Sequence, residues 1–129
     1  MTHGGCVVIV DDDDSFRAAM MSLLRSMRLA SMSFASAEEF LSSEWLDRTS
    51  CLLVDVNMPG MNGLALQCHL TAVGKRIPLI FLSALGDDEI RLVALRSGAV
   101  SFMTKPVSDA DLLDGLRLAW SSAPHVSPQ

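Results

Sequence analysis

Residues 52–60 read LLVDVNMPG, a short apolar run that ends in one acid and is followed by a loop-forming segment. The run predicts a strand that is buried on both faces and carries Asp55 to its carboxyl end. Pro59 and Gly60 favour a turn directly after it. In open parallel α/β sheets, ligands bind at the carboxyl ends of the strands. Asp55 is therefore predicted to lie at the mouth of a binding site.

Outward from this strand, the chain alternates apolar runs with segments of helical spacing. The runs predict four further strands, at residues 6–10, 30–34, 77–83 and 99–103. Caps and stop glycines predict a first helix with Asp14 or Ser15 as its cap, and further helices that start at a capping box over residues 36–39, near Leu64, at Asp87 and after Ser108. The alternation predicts an α/β, flavodoxin-like (βα)5 fold, a doubly wound sheet of five parallel strands in the order 2-1-3-4-5 with helices on both faces.

Apolar stripes indicate which helix faces are buried. The first helix has a core-facing stripe of Phe16, Met20, Leu23, Leu24 and Met27. The second is expected to be a short helix that carries Phe40, Leu41, Trp45 and Leu46. The fourth has one stripe suited to the sheet, made of Ile90, Val93 and Ala94. Leu92 and Leu95 form a second stripe beside Arg91 and Arg96, which is typical of a contact surface.

The composition indicates one acidic domain. Half of the 129 residues are hydrophobic, which suits a single core. A net charge of −5 with scattered Lys and Arg argues against nucleic-acid binding by this chain itself. No apolar run could span a bilayer and no export signal is present, so we expect a cytoplasmic protein with no membrane contact. We assign residues 1–5 to a leader, 6–121 to the domain and 122–129 to a tail or the start of a linker.

The three cysteines, Cys6, Cys51 and Cys68, show no metal-ligand spacing. They are predicted to be small buried hydrophobic residues in a reducing compartment. Cys6 and Cys51 both open predicted strands, which leaves a disulfide between them as an alternative.

Other polar residues follow the strands at the same predicted edge as Asp55. Asp11 and Asp12 follow the first strand, Ser83 ends the fourth and Lys105 follows the fifth. Three carboxylates that meet there would repel one another unless a cation lay among them. Mg²⁺, a hard cation that takes oxygen ligands, keeps waters and is completed by a phosphate, fits this role. Lys105 and Ser83 fit a phosphoryl group as a point charge and a hydroxyl donor.

These motifs resemble the receiver domain of bacterial two-component response regulators, the CheY-like family. The resemblance covers about residues 6–120 and rests on four motifs: Val10-Asp11-Asp12, Asp55-x-x-Met58-Pro59-Gly60-x-x-Gly63, Ser83-Ala84 and Lys105-Pro106. The Met58-Pro59-Gly60 loop and the segment 97–100, SGAV, look most like FixJ-type regulators, in which a DNA-binding domain follows the receiver. Two cases stay open, a free-standing receiver and a receiver within a longer transcription regulator.

The resemblance implies a role for each matching residue. Asp55 would accept a phosphoryl group from a sensor histidine kinase as an acyl phosphate, and Lys105 would pair first with Asp55 and then with the phosphoryl oxygens. Ser83 would follow the new phosphate inward. The Mg²⁺ ligands would be Asp11, Asp12, Asp55 and the backbone carbonyl of Asn57. The loop and the lysine would be shaped by Pro59, Gly60, Gly63 and a cis peptide bond before Pro106.

The resemblance also implies a switch with an output face. Phe102 occupies the aromatic switch position of the family, in which the fourth helix, fifth strand and fifth helix mediate dimers or output contacts. Leu92, Leu95 and Arg96 are the candidate contact residues on that face. The chain would take part in its own phosphorylation and dephosphorylation without being a conventional enzyme.

Two other classes of function are alternatives to this one. A phosphorylation-independent interaction module would be expected to lose the acids or the lysine, which this chain keeps. An aspartate-nucleophile phosphatase resembles the strand-end acid but needs a second acid two residues later, where this chain has Asn57.

Overall fold

The sheet has five parallel strands in the part of the chain that the computed structural model describes, residues 5–84 and 88–122. The strands are β1 (Cys6–Val10), β2 (Ser31–Phe34), β3 (Thr49–Asp55), β4 (Leu79–Ser83) and β5 (Ser101–Thr104). Their order is β2-β1-β3-β4-β5, and every neighbouring pair is parallel. This confirms the predicted doubly wound fold. Residues 1–4 of the predicted leader and 123–129 of the predicted tail lie outside the described residues, as does Asp87, the predicted start of the fourth helix.

Five α-helices connect or follow these strands in the described ranges. They are α1 (Asp14–Ser26), α2 (Ala37–Leu41), α3 (Gly63–Ala72), α4 (Asp88–Arg96) and α5 (Asp109–Ser122). The cap of α1 is Asp13, whose carboxylate accepts a hydrogen bond from the Phe16 N–H at 3.1 Å, so the prediction of Asp14 or Ser15 was wrong by one or two residues. None of the described helices combines the length and apolar character needed to cross a bilayer.

The second predicted helix is interrupted. Residues Ala37–Leu41 are α-helical and Glu44–Arg48 form a separate 3-10 helix, so Trp45 and Leu46 do not continue α2. The hydroxyl of Ser42 donates to the Glu38 carbonyl and that of Ser43 to the Phe40 carbonyl. Serine side chains that bond to nearby backbone compete with the helix, which explains the break.

The two faces of the sheet bury different residues. One face packs under α2, α3 and α4, with Val8, Val10, Leu52 and Val54 in the strands. The opposite face packs under α1 and α5, with Val7, Ile9, Cys51 and Leu53. Cys6 belongs to the first layer and Cys51 to the second, so the alternative of a disulfide between them is wrong. Cys68 is exposed, which corrects the expectation that all three cysteines are buried.

The fourth helix only partly follows its predicted stripes. Ala94 is fully buried and Ile90 is half-buried, as expected for the sheet-facing side. Val93 is 52% exposed, so its assignment to the sheet-facing stripe was wrong. Because successive helical residues turn by about 100°, a stripe centred on Ile90 and Ala94 leaves Val93 at its margin. Leu92 and Leu95 are exposed, as predicted.

Candidate functional site

The ends of two adjacent strands bring the acids together. Val10 at the end of β1 lies opposite Val54 in β3, so Asp11 and Asp55 follow side by side at the carboxyl edge of the sheet. Asp11 is fully buried, Asp55 is 7% exposed, and Asp12 faces solvent. One carboxylate oxygen from each of the three lies within 4.8 Å of the others. The structure therefore assembles the three acids that the sequence analysis predicted.

Lys105 reaches across the sheet to two of these acids. Its ammonium nitrogen, Nζ, lies 2.6 Å from Asp11 Oδ2 and 3.0 Å from Asp55 Oδ2. The backbone N–H of Lys105 donates to the carbonyl of Ser83 at 2.8 Å, which fixes the start of the side chain beside the end of β4. The peptide bond to Pro106 is cis, as the resemblance implies.

The titration of Lys105 is set by opposing effects. Burial on its own would lower the pKa of the ammonium group. The hydrogen-bonding and Coulombic interactions with Asp11 and Asp55 together outweigh burial and hold the pKa above its ordinary value. Lys105 therefore stays positively charged in the neutral pH range.

Asp11 is the most deeply buried of the three acids. Burial raises the pKa of its carboxyl group, and the opposing effects of Lys105 and of the Asp13 N–H only partly offset this. Its Oδ1 accepts the Asp13 N–H at 2.9 Å. Its buried Oδ2 is engaged by Lys105 Nζ alone among the described residues, at 2.6 Å. By distance the contact is an ion pair, and the oxygen keeps capacity for a further cation.

The charge balance of the site suits a divalent metal. Three carboxylates face one ammonium group, which leaves two formal negative charges. The nearby Arg17 is otherwise engaged, because its guanidinium donates to the Asp11 carbonyl at 2.6 Å and pairs with the exposed carboxylate of Asp14. Clustered oxygen ligands are the donor set that Mg²⁺ prefers. The residues present therefore fit the predicted ion, with Asp11, Asp12 and Asp55 as candidate side-chain ligands.

The loop after β3 is held tightly against Asp55. The Asn57 N–H donates to Asp55 Oδ1 at 2.8 Å, while Lys105 engages the other oxygen of that carboxylate. Gly60 has a φ of +73°, a conformation that side chains disfavour. A Cβ on Gly63 would lie 2.7 Å from the Asp55 carbonyl oxygen, so only glycine lets α3 start this close to β3. Gly63 therefore lets the start of α3 pack against the end of β3, beside the backbone of Asp55. Pro59 is exposed.

The remaining predicted site residues lie on β4, β5 and α4. Ser83 is buried at the carboxyl end of β4, in register with Thr104. Phe102 pairs with Phe81 and is half-buried on the face that α2, α3 and α4 cover. Arg96 is exposed at the end of α4, next to the exposed Leu95. Ser83 is thus at the same edge as the acids, and Phe102 lies inward from it along β5.

One aromatic residue of the site was missed by the sequence analysis. The ring of Phe16, in the first turn of α1, lies beneath Lys105, with Nζ 4.3 Å from the ring centroid. The helical spacing of Phe16 assigned it to the core stripe. The available signal was its position five residues after Asp11, in the first turn of the helix that follows the acidic loop.

Comparisons with known proteins agree with this arrangement. The family model for the response regulator receiver domain matches residues 7–117. The response regulator protein TmoT of Ectopseudomonas mendocina is 42% identical over 119 residues, which are 92% of this chain and 54% of that protein. The transcriptional regulatory protein FixJ of Azorhizobium caulinodans is 38% identical over 112 residues, 86% of this chain and 53% of that protein.

A solved structure shows the same likeness in three dimensions. The crystal structure of FixJ-N superposes with a TM-score of 0.86 at 28% identity, and the match covers 97% of this chain and all of that one. The chain spans about half the length of the curated relatives it matches.

Proposed function

The chain belongs to the response regulator receiver domain family of two-component systems, and from that premise we propose that it accepts a phosphoryl group on Asp55 and passes the resulting change to an output partner. The main observation that supports this proposal is the environment of the Asp55 carboxylate. Lys105 Nζ lies at 3.0 Å from one oxygen, the Asn57 N–H holds the other, and two more acids lie beside it. This arrangement orients a nucleophile and prepares charge stabilisation around it.

The proposed reaction is a transfer from a phosphohistidine on a sensor histidine kinase. An Asp55 carboxylate oxygen attacks phosphorus, an O–P bond forms, and the P–N bond breaks with its electron pair going to the imidazole, which is protonated as it leaves. Lys105 then exchanges the Asp55 oxygen for a phosphoryl oxygen as its partner. Mg²⁺, when bound, would neutralise charge on the group in transfer. Asp11 and Asp12, with the Asn57 carbonyl, would hold that ion.

The proposed switch uses the residues between the acids and the output face. A phosphoryl group on Asp55 would attract the hydroxyl of Ser83, which is buried one strand away. Movement of that hydroxyl would free space inward, into which Phe102 repacks. The exposed side chains of Leu92 and Leu95, with Arg96, would then form a homodimer or output contact together with β5 and α5. The two arrangements would be the two states of the module.

The wider role follows from the same family. As a receiver, the chain takes part in its own phosphorylation and dephosphorylation, and we propose no conventional enzyme activity for it. Relatives named as transcriptional regulators support a role in transcription regulation, exerted by an output domain in a longer protein. We place the chain in the cytoplasm, where it would meet the catalytic part of the sensor kinase.

A mass measurement tests the proposal. Incubation with acetyl phosphate and Mg²⁺ is expected to add one phosphoryl group, labile to hydroxylamine, to the wild-type chain. The Asp55→Ala variant should gain none, whereas Asp114→Asn, a change at an exposed acid of α5, should be labelled like the wild type. Labelling of Asp55→Ala at the wild-type rate would contradict the assignment of Asp55.

A further inference from the structure

We infer that Phe16 is a positioning residue for Lys105. Its ring holds the lysine ammonium group by a cation–π contact and thereby speeds phosphoryl acceptance at Asp55. The effect on rate depends on the proposed function of the site, whereas the contact itself does not.

The contact has the geometry of a cation–π interaction. Lys105 Nζ is 4.3 Å from the centroid of the Phe16 ring, inside the roughly 6 Å range of such contacts. The same nitrogen lies 2.6 Å from Asp11 Oδ2 and 3.0 Å from Asp55 Oδ2. The ammonium group therefore contacts carboxylates and an aromatic face together. Because only 16% of the lysine side chain is exposed, the attraction is weakly screened by water.

The ring itself is fixed to the acidic loop. The backbone N–H of Phe16 donates to the carboxylate of Asp13, the cap of α1, at 3.1 Å. The next residue, Arg17, donates from its guanidinium to the carbonyl of Asp11 at 2.6 Å. The half-buried ring also packs against the layer beneath α1 and α5. Phe16 is thus held in a fixed position relative to Asp11, and both residues contact Lys105.

The uncharged Phe16 ring can do for Lys105 what a further carboxylate could not. A lysine side chain is long and flexible, and holding it in one geometry costs conformational entropy. The carboxylates that hold Lys105 are the groups that a metal and an incoming phosphoryl group would engage. The Phe16 ring takes no part in that exchange, so it can keep the ammonium group in place while the anionic partners change. An aliphatic residue would fill the same space without attracting the cation.

Lysine-selective labelling tests the contact without any phosphorylation. The chain has two lysines, Lys75 and Lys105, so ¹³C-lysine gives two sets of CεH₂ signals. Ring current should move the Lys105 Hε signals upfield in the wild type, while Lys75, which pairs with Asp47 away from any such ring contact among the described residues, supplies the reference. The shift should disappear in Phe16→Leu and persist in Phe16→Tyr. Lys105 signals at the reference position in the wild type would overturn the inference.

Phosphorylation kinetics test whether the contact speeds phosphoryl acceptance at Asp55. With acetyl phosphate and saturating Mg²⁺, Phe16→Leu should be phosphorylated about 3- to 10-fold more slowly than the wild type, which is the range that a partly buried cation–π contact allows. Phe16→Tyr should restore the rate. Met21→Ala removes apolar volume from the same helix and layer and should lower stability without changing the rate or the Lys105 signals.

The outcomes separate this inference from the proposed function. A wild-type chain that takes no phosphoryl group refutes the proposed function, while its Lys105 signals still decide whether the contact exists. A wild-type rate in Phe16→Leu, or an equal loss in the leucine and tyrosine variants, refutes the positioning role even if Asp55 is the acceptor. If Phe16→Leu fails to fold, the Lys105 signals of the wild type and of Phe16→Tyr still decide whether the cation–π contact exists.

Discussion

Replacing Lys105 with Met removes the ammonium group but keeps a side chain of similar length, so it isolates the charge. Its two ion pairs, at 2.6 and 3.0 Å, each correspond to an attraction of about 6 kcal/mol at an effective dielectric constant of about 20. Desolvation of the ions offsets much of this attraction. Because the change leaves the buried Asp11 and Asp55 carboxylates facing each other, we expect a net loss of about 3 kcal/mol in the free energy of unfolding without metal.

The same chain supplies the control. Lys75 pairs with Asp47 at the surface, where 38% of the lysine and 73% of the aspartate side chain are exposed, so Lys75→Met should cost at most about 1 kcal/mol. Guanidinium denaturation of the three proteins in EDTA, followed by circular dichroism, measures both losses. The site geometry predicts that the loss for Lys105→Met exceeds the loss for Lys75→Met.

Magnesium should reduce the difference in the free energy of unfolding between Lys105→Met and the wild type. The variant keeps all three carboxylates but lacks the ammonium group that competes for them, so it should bind the ion more tightly. An ion at ten times its Kd stabilises the folded state by about 1.4 kcal/mol, and tighter binding raises that amount at a fixed concentration. Equal losses for the two lysine variants in EDTA, or a gap that magnesium leaves unchanged, would refute the charge balance described above.

Three further outcomes follow from individual residues. In calorimetry with EDTA, Asp11→Asn should melt at a higher temperature than the wild type. The reason is that burial raises the pKa of the Asp11 carboxyl group, so its ionised form opposes folding above that pKa. Mg²⁺ should raise the melting temperature of the wild type and not that of the variant. Gly63→Ala should lower the free energy of unfolding by about 1–3 kcal/mol in urea titrations, because its Cβ would meet the Asp55 carbonyl oxygen at 2.7 Å. Iodoacetamide at pH 8 should modify one cysteine quickly, Cys68, since Cys51 is buried with its pKa raised to about 12 and burial also raises the pKa of Cys6. Intact mass would show one adduct in the native state and three in denaturant, and rapid triple modification of the native state would contradict the described burial.

The convergence of the main site residues could be predicted because it depends on topology alone. In a parallel sheet, residues that follow strands meet at one edge whatever their side chains are. Asp11, Asp55, Ser83 and Lys105 each follow or end an apolar run, so recognising the runs was sufficient to place them together. The roles of these residues in phosphoryl transfer remain predictions.

Details that depend on competition between local interactions could not be predicted. The break after α2 arises because two serine hydroxyls bond to helix carbonyls, and the sequence does not tell whether a serine side chain turns to the backbone or to water. Val93 lies at the edge of its stripe, where a small rotation of α4 decides its exposure. Phe16 was missed for a different reason, since its apolar spacing indicates the core and only its position in the first turn after the acidic loop points to a second contact.

The position of Phe16 also bears on how a crowded acidic site can be both stable and ready to react. If acids alone held Lys105, each ligand that engaged an acid would loosen the lysine at the moment when its charge is needed. An aromatic face separates the two tasks, because its attraction for a cation involves no group that a metal or a phosphoryl oxygen would bind. The site can then leave two negative charges uncompensated for an incoming ion and still keep its own cation in place. This arrangement requires an aromatic ring in the first turn of α1, and the comparison of leucine with tyrosine at position 16 measures that requirement directly.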